Sequence, residues 1–429
     1  GIIVYSLHRL PRQALPMRKD VLIYFTGKII PALVNLAIII LAVRLLGKAE
    51  YGKYSLIFYS TMLIATLSFG WIQQSIIRFL SAYPGEQVLV INRFFFLTIA
   101  GTLFAVIVSL LVCIFYFHLR WMETMVIMVY IAMYNLFMFH LTLNQTKKKS
   151  IRYAIQEGSY NIFFIGLFFL LTIVFNQRSF IVLFIAMTSG LIITDLLRIN
   201  VLPEGKVVLD PSRIYFNSGF TKKVFNFGFP ITIWLFLSYL MNISDRFIIN
   251  SFTSYENVGT YAAIKDFIIK ISTFSTIPIL LAYHPAIVEK WNQNRKKEAM
   301  KMIREGLLFC LLIACAVLVF FIYFQDIFYN RILHLQVTRK FLVSVTLICS
   351  SFLWQAAMLI HKPLELLLKP RLMLIAILVS LAVNALANII FVPIYGYPAS
   401  AVISLISVIT YIIVIFAFLF RFNKQGLLN

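Results

Sequence analysis

The sequence predicts an all-α polytopic membrane protein with about twelve transmembrane helices, and three observations predict it. Of 429 residues, 61% are hydrophobic and only 13% charged, where soluble domains carry about a quarter charged residues. The mean hydropathy is +0.90. The apolar runs are long and unbroken, as from Phe94 to Phe117 and from Arg371 to Val392, whereas the strands of a membrane barrel alternate over segments of about ten residues. A bilayer core about 30 Å thick takes roughly 20 apolar residues per helix, so twelve spans use roughly 240 residues and leave short loops. A large extramembrane domain does not fit.

Taken in order, spans one and two fall at 21–45 and 54–78, divided by a polar turn that holds Lys48 and Lys53. Spans three and four, 94–117 and 122–143, follow Arg93 and are separated at Arg120. Lys147, Lys148, Lys149 and Arg152 precede span five, 155–175, and Arg178 separates it from span six, 179–199. A stretch over 200–222, broken by Pro203, Gly205, Pro211 and Gly219, leads to spans seven and eight at 223–250 and 258–284. A basic run from Lys290 to Arg304 enters span nine, 304–325, and spans ten to twelve occupy 340–361, 371–392 and 398–420.

The formal charge of +22 comes from 38 basic and 16 acidic residues, and it alternates from loop to loop. About 26 basic residues fall on one side and about 7 on the other. Basic loops set membrane topology, so both termini are expected in the cytoplasm and no nucleic-acid partner is implied. The expected domains are an N-terminal segment, 1–20; an N-lobe, 21–199; an inter-lobe loop, 200–222; a C-lobe, 223–420; and a tail, 421–429. Met17, followed by Arg18, Lys19 and Asp20, reads as a natural start, which would place 1–16 outside the native chain. Cys113, Cys310, Cys315 and Cys349 sit in apolar spans without His at metal-ligand spacing, so neither a disulfide framework nor a metal site is expected.

The two halves begin alike. Gly27 and Pro31 open a span that ends in RLLGKAEYGKYS, while Gly228 and Pro230 open one that ends in DRFIINSFTSYENVGTYA, so that Gly52 and Tyr54 correspond to Gly259 and Tyr261. Six crossings is an even number, so the halves are expected to be parallel repeats about an axis along the membrane normal.

The sequence resembles the polysaccharide-transport flippases (Wzx-type O-antigen and repeat-unit exporters) of the multidrug/oligosaccharidyl-lipid/polysaccharide superfamily, which are related to the MATE exporters. Three stretches carry the resemblance: Arg44 to Ser55, Phe227 to Asn250, and Asn384 to Ser407. Pro398 departs from the family, where Gly is usual after the Tyr-Gly pair. The resemblance implies a MATE-like fold of two pseudosymmetric six-helix bundles in a bacterial cytoplasmic (inner) membrane. It also implies a polyprenyl-pyrophosphate-linked oligosaccharide as substrate, membrane lipid and the polysaccharide polymerase machinery as partners, a monomer, and no cofactor apart from coupling to H+ or Na+.

Charges inside spans are expensive and mark function or a snorkelling route. Lys28, Arg44, Arg246, Lys265 and Lys270 stand against Asp245 and Asp266, about +3 in balance, which favours an anion. Lys28 shares a helical face with Pro31 and Asn35, and Lys270 with Asp266 and Thr273. We expect Lys28, Asn35, Lys265 and Lys270 to line a substrate cavity, and Arg44, Asp245, Arg246 and Asp266 to gate or couple it. The bland alternatives are snorkelling for Lys28, interfacial anchoring for Arg44 and Arg246, and a helix-internal ion pair between Asp266 and Lys270. Polar stripes at Ser351, Gln355 and Lys362, beside His361, and at Ser380, Asn384 and Asn388, read as interhelical glue. Tyr239 and Tyr261 could stack on sugar rings.

No Walker loop, HExxH or GxSxG motif is present, so an enzyme or ATP-driven pump is not expected. Three functions suit a membrane protein of this kind. A flippase fits the positive interior and the resemblance. A cation-coupled multidrug exporter should carry first-lobe carboxylates, and span one offers none. A glycan polymerase or ligase should have a large external loop, and the longest here, about 325–339, is some fifteen residues.

Overall fold

The structure, a computed structural model, describes residues 14–83, 86–201 and 218–424, with side chains described over 29–80, 82–83, 86–197 and 218–424. The described residues fold into helices joined by short turns, without a strand. Eleven helices are long and apolar enough to cross a membrane: α1 (Ala14–Leu46), α2 (Lys48–Phe79), α3 (Gln87–Leu111), α4 (Trp121–Thr146), α5 (Ser150–Phe169), α7 (Ser218–Phe252), α8 (Tyr255–Asn292), α9 (Lys296–Asp326), α10 (Lys340–Ile360), α12 (Pro370–Tyr395) and α13 (Tyr397–Lys424). The twelfth, α6 (Ile181–Val201), is apolar over Ile181–Leu197. Its 21 residues reach about 32 Å at 1.5 Å per residue, enough for a bilayer core. A five-residue helix, α11 (Lys362–Leu366), carries Pro363 in its first turn and links α10 to α12.

The helices form two bundles. In the first, α1 packs on α5, α5 and α4 on α6, and α2 on α3 and α4; in the second, α12 and α10 pack on α13, α9 on α8 and α10, and α7 on α12. The bundles meet where α2 lies against α7 and α8, and α1 against α8. Apolar side chains such as Leu308, Leu311, Phe320 and Tyr323 of α9 stay exposed, as a lipid-facing surface requires. Polar groups turn inward and are satisfied locally: Ser and Thr hydroxyls donate to the carbonyl four residues back, as Thr61 does to Ile57 at 2.8 Å and Thr172 to Phe168 at 2.7 Å.

All twelve helices sit where the apolar periodicity places them, but most are longer at one or both ends. The polar ends, such as Lys48 to Lys53 of α2 and Ser218 to Lys222 of α7, continue the helical ladder out of the apolar zone. Hydropathy marks the bilayer; it does not mark where the backbone bonds stop. One end of the molecule gathers Arg78, Arg93, the lysines at 147–149 and Lys290; we call it the basic end and the opposite one the far end.

Candidate functional site where the bundles meet

At the far end the bundles are in backbone contact. A Cβ on Gly52 of α2 would lie 2.1 Å from the Tyr255 carbonyl oxygen and 2.7 Å from the Gly259 nitrogen, and one on Gly259 of α8 would lie 1.7 Å from the Lys48 oxygen. No side chain fits there, so the absence of a Cβ at both positions lets the helices cross this closely. Around the crossing, Lys48 pairs with Glu256 at 3.0 Å, and Arg44 Nε donates to the Ile332 carbonyl at 2.6 Å while its Nη2 donates to the carbonyl of Arg331. Arg44, expected to gate or couple, is thus exposed and tied to the chain beyond α9.

Deeper in, about 16 Å along α8 from Tyr255, four charges meet out of water. Arg246 is 1% exposed and forks onto Asp266, with Nη2 to Oδ1 at 2.6 Å and Nη1 to Oδ2 at 3.2 Å. Lys265 Nζ pairs with Asp245 Oδ2 at 2.5 Å. Adjacent residues of α7 therefore pair with adjacent residues of α8, and two positive and two negative charges cancel. Such a set tolerates burial only when every lone pair finds a donor.

Every one does. A carboxylate has about four acceptor sites. Asp266 takes two bonds from Arg246, one from Tyr51 at 3.0 Å and one from Tyr59 at 2.7 Å. Asp245 takes Lys265, Tyr261 at 2.5 Å, Ser404 at 3.2 Å and the Arg246 backbone N–H at 2.9 Å. Ser55 accepts from Arg246 Nη1 at 2.5 Å, and the guanidinium lies 4.2 Å from the centre of the Tyr59 ring. Tyr51, Ser55 and Tyr59 follow one another at i, i+4 and i+8 on one face of α2, so the first bundle docks its polar stripe onto the ion pair of the second.

These contacts revise the expected site. Lys265 is 4% exposed and consumed by Asp245, so it does not face substrate in this conformation. Asp266 bonds Arg246 of α7 and not Lys270, its neighbour one turn along α8, because a guanidinium fork from the facing helix fills both oxygens. Lys270 is half-buried on the basic side of the cluster. Asn35 donates to the Pro31 carbonyl at 2.6 Å and to Asn161 of α5 at 3.3 Å, joining two helices of the first bundle. The side chain of Lys28 lies outside the described residues. The two pairs sum to zero, so with Arg44 exposed the positive balance rests on Lys28 and Lys270. Asp195 of α6 is a buried carboxylate 3.4 Å from His140 of α4, so the first bundle carries an internal acid.

The polar stripes act as glue. Asn384 accepts from Ser244 at 3.0 Å and donates to Ser407 at 3.0 Å, Ser380 donates to the Ser407 carbonyl at 2.5 Å, and Gln355 donates to Thr273 at 3.0 Å. Lys362 and His361 gather on Glu365 at the basic end, and Lys362 also meets His284 at 2.5 Å. Of the two tyrosines proposed to stack on sugars, Tyr261 is fully buried on Asp245, whereas Tyr239 is 44% exposed.

The sequence profile of the family described as "Polysaccharide biosynthesis protein" matches residues 17–291, well over half of the chain. The chain belongs to the polysaccharide biosynthesis protein family. This family member shares its fold with solved transporters. It resembles the lipid II flippase MurJ in an inward closed conformation (13% identity, TM-score 0.69, covering 93% of this chain and 86% of that one) and a multidrug resistance MATE family transporter of the MOP superfamily in an outward-facing conformation (14%, 0.66, 96% and 95%). It also resembles a MOP superfamily transporter from Pyrococcus furiosus described as having a binding pocket of reverse polarity (15%, 0.64, 96% and 96%). No curated protein sequence matches. At these identities the structural likeness shows the fold, two six-helix bundles spanning a membrane.

Proposed function

We propose that this member of the family is a flippase that moves a polyprenyl-pyrophosphate-linked oligosaccharide repeat unit across the bacterial cytoplasmic membrane for O-antigen, capsule or exopolysaccharide synthesis, with both termini cytoplasmic. The observation that carries the mechanism is the docking of Tyr51, Ser55 and Tyr59 of one bundle onto the Arg246–Asp266 pair of the other. An apolar seam has no feature that a proton or ion could switch. A seam of hydrogen bonds to one carboxylate can be weakened when that carboxylate is neutralised, because a proton competes with the donors at one oxygen and removes the charge that strengthens the bonds from both tyrosines.

Sugars and pyrophosphate would lose hydration in hydrocarbon at several kcal/mol per unsatisfied group. A cleft between the bundles, entered from the basic end, shelters the headgroup while the polyprenyl tail stays in lipid. Lys270, with Lys28 of the first bundle, supplies cations for the pyrophosphate. Rocking of the bundles then breaks the Gly52–Gly259 crossing and the Lys48–Glu256 pair and opens the far end. Asp266 is our candidate for coupling to H+ or Na+. The unit works as a monomer that hands its product to polymerase machinery.

The test is reconstitution in vesicles with a fluorescent polyprenyl-pyrophosphate oligosaccharide, scored by a membrane-impermeant quencher. Protein-dependent loss of protection supports the reading. No difference from empty vesicles overturns it. One observation favours a second reading, an ion-coupled multidrug exporter: the buried His140–Asp195 pair gives the first bundle the acid such a protein needs. Export of organic cations by the same vesicles, with no movement of the lipid probe, would select it.

A further inference from the structure

A second group of ionisable side chains takes no part in the seam between the bundles. At the basic end, where α10 gives way to α11, His361 and Lys362 are buried side by side. Lys362 pairs with one carboxylate oxygen of Glu365, and His361 Nε2 lies 3.2 Å from the other. His361 Nδ1 meets the hydroxyl of Tyr411 of α13 at 2.9 Å, and its ring stands at 84° to that of Trp234 of α7, with 5.5 Å between centres. These contacts fix the turn to α7 and α13. One more reaches α8: Lys362 Nζ lies 2.5 Å from Nε2 of His284.

The direction of that bond follows from the chemistry of its partners. A lysine ammonium has protons to give and no lone pair to accept, so His284 Nε2 is the acceptor and the ring is neutral, with its proton on Nδ1. A second proton could bind only at Nε2. It would take the lone pair that Lys362 uses and set two cations face to face. His361 differs, because a carboxylate can only accept: its Nε2–H donates to Glu365, and a second proton on Nδ1 would face a phenol oxygen able to accept it. Acid therefore breaks the contact between α8 and the turn. Among the described residues, Lys362, Glu365 and His361 of the turn are the charged and titratable groups facing His284. Glu365 already accepts from the other two, so it is not free to draw the new charge in. From α9, packed on the same stretch of α8 through Phe309 on Tyr283 at 6.3 Å, Glu305 lies toward Tyr283 and pairs with Lys301 at 3.9 Å.

His284 is exposed while Lys362 is buried, so protons reach the imidazole from outside. Pro278 and Pro285 lie within α8, and each removes an N–H from its ladder, so this end of the helix depends more on what it touches than on its own backbone. We infer that His284 and Lys362 form a pH-sensitive strap, which fastens the basic end of α8 to the α10–α11 turn while the imidazole is neutral and lets go when it is protonated. Histidine changes charge between about pH 8 and about pH 5, so the strap holds at the upper end of that range and is lost toward the lower. It is internal to the second bundle and stands apart from the flippase reading.

The test places spin labels at Ala282→Cys of α8 and Lys369→Cys just before α12, both exposed positions, in the full chain with Cys315 and Cys349 replaced by Ala. Their separation is read in nanodiscs of uncharged phospholipid. From about pH 8 to about pH 5 a longer separation should appear and become the major population. His284→Gln keeps an acceptor for Lys362 but does not titrate, and should hold the short separation throughout. Lys362→Met removes the cation that the new charge opposes, and should abolish the shift as well. A separation that stays constant over this range in the protein with His284 and Lys362 intact overturns the strap, and so does the same lengthening in either variant.

Discussion

Gly52 and Gly259, which hold equivalent places in the two halves of the sequence, lie against one another where α2 crosses α8, with each position too close to the other helix for a Cβ. The contact joins the two bundles at the far end, so parting them there has to break it. Gly259→Ala should push the helices apart and shift the population toward a state open at that end. We expect a Ser55→Cys thiol, buried at 1% in the closed arrangement, to react with a hydrophilic maleimide about ten-fold faster in the Gly259→Ala background. Unchanged labelling would show that the crossing does not hold the bundles together.

The buried charges make a separate prediction about stability. Removing Arg246 alone leaves Asp266 uncompensated, at a cost of about 3–5 kcal/mol, whereas removing both members leaves an apolar site that costs far less. Arg246→Met and Asp266→Leu should each lower the apparent melting temperature in detergent, and the double variant should melt above the worse single. Additive losses would mean the two residues do not act as a pair.

On the proposed function, Lys270 of the second bundle would meet the pyrophosphate. Lys270→Ala should reduce export of lipid-linked oligosaccharide about ten-fold without loss of membrane insertion, since removing a charge from a span eases insertion. Lys270→Arg should restore it in part, because a guanidinium keeps the charge but offers different donor geometry. Full export by the Lys28→Ala, Lys270→Ala double variant would remove both residues from the site.

Coupling is read separately. Asp266→Asn keeps the shape of the carboxylate without its charge, so downhill movement of the lipid probe should persist while its response to an imposed pH gradient disappears. If the response survives in Asp266→Asn and vanishes in Asp195→Asn, the proton is carried in the first bundle, beside His140.

The helices were legible because the bilayer imposes one rule on every span, a continuous apolar run that satisfies its own backbone. Gly52 and Gly259 stand out in the sequence, each two residues before a Tyr, and the backbone contact between their helices leaves no room for a side chain at either. The pairing of the charges was not. Helical periodicity offers Asp266 a partner four residues away at Lys270, and the actual partner, Arg246, comes from the neighbouring helix at a similar depth. The order of charges gives no signal: α7 and α8 run antiparallel, which in simple register would set Asp245 against Asp266, whereas the pairs formed are Asp245–Lys265 and Arg246–Asp266. The Tyr51, Ser55 and Tyr59 stripe is a polar face on a helix that reads as merely amphipathic until its neighbour is known.

Separation of the far end during transport is the central claim, and the pair Lys48 and Glu256 tests it most directly. Both side chains are about half exposed and meet at 3.0 Å across the bundles. A Lys48→Cys, Glu256→Cys protein, with the exposed Cys315 replaced, can be joined by a short thiol-cleavable linker after reconstitution. Movement of the lipid-linked oligosaccharide should stop when the linker is in place and resume when it is cleaved. Transport that continues at the full rate through fully cross-linked protein would contradict alternating closure of the two bundles.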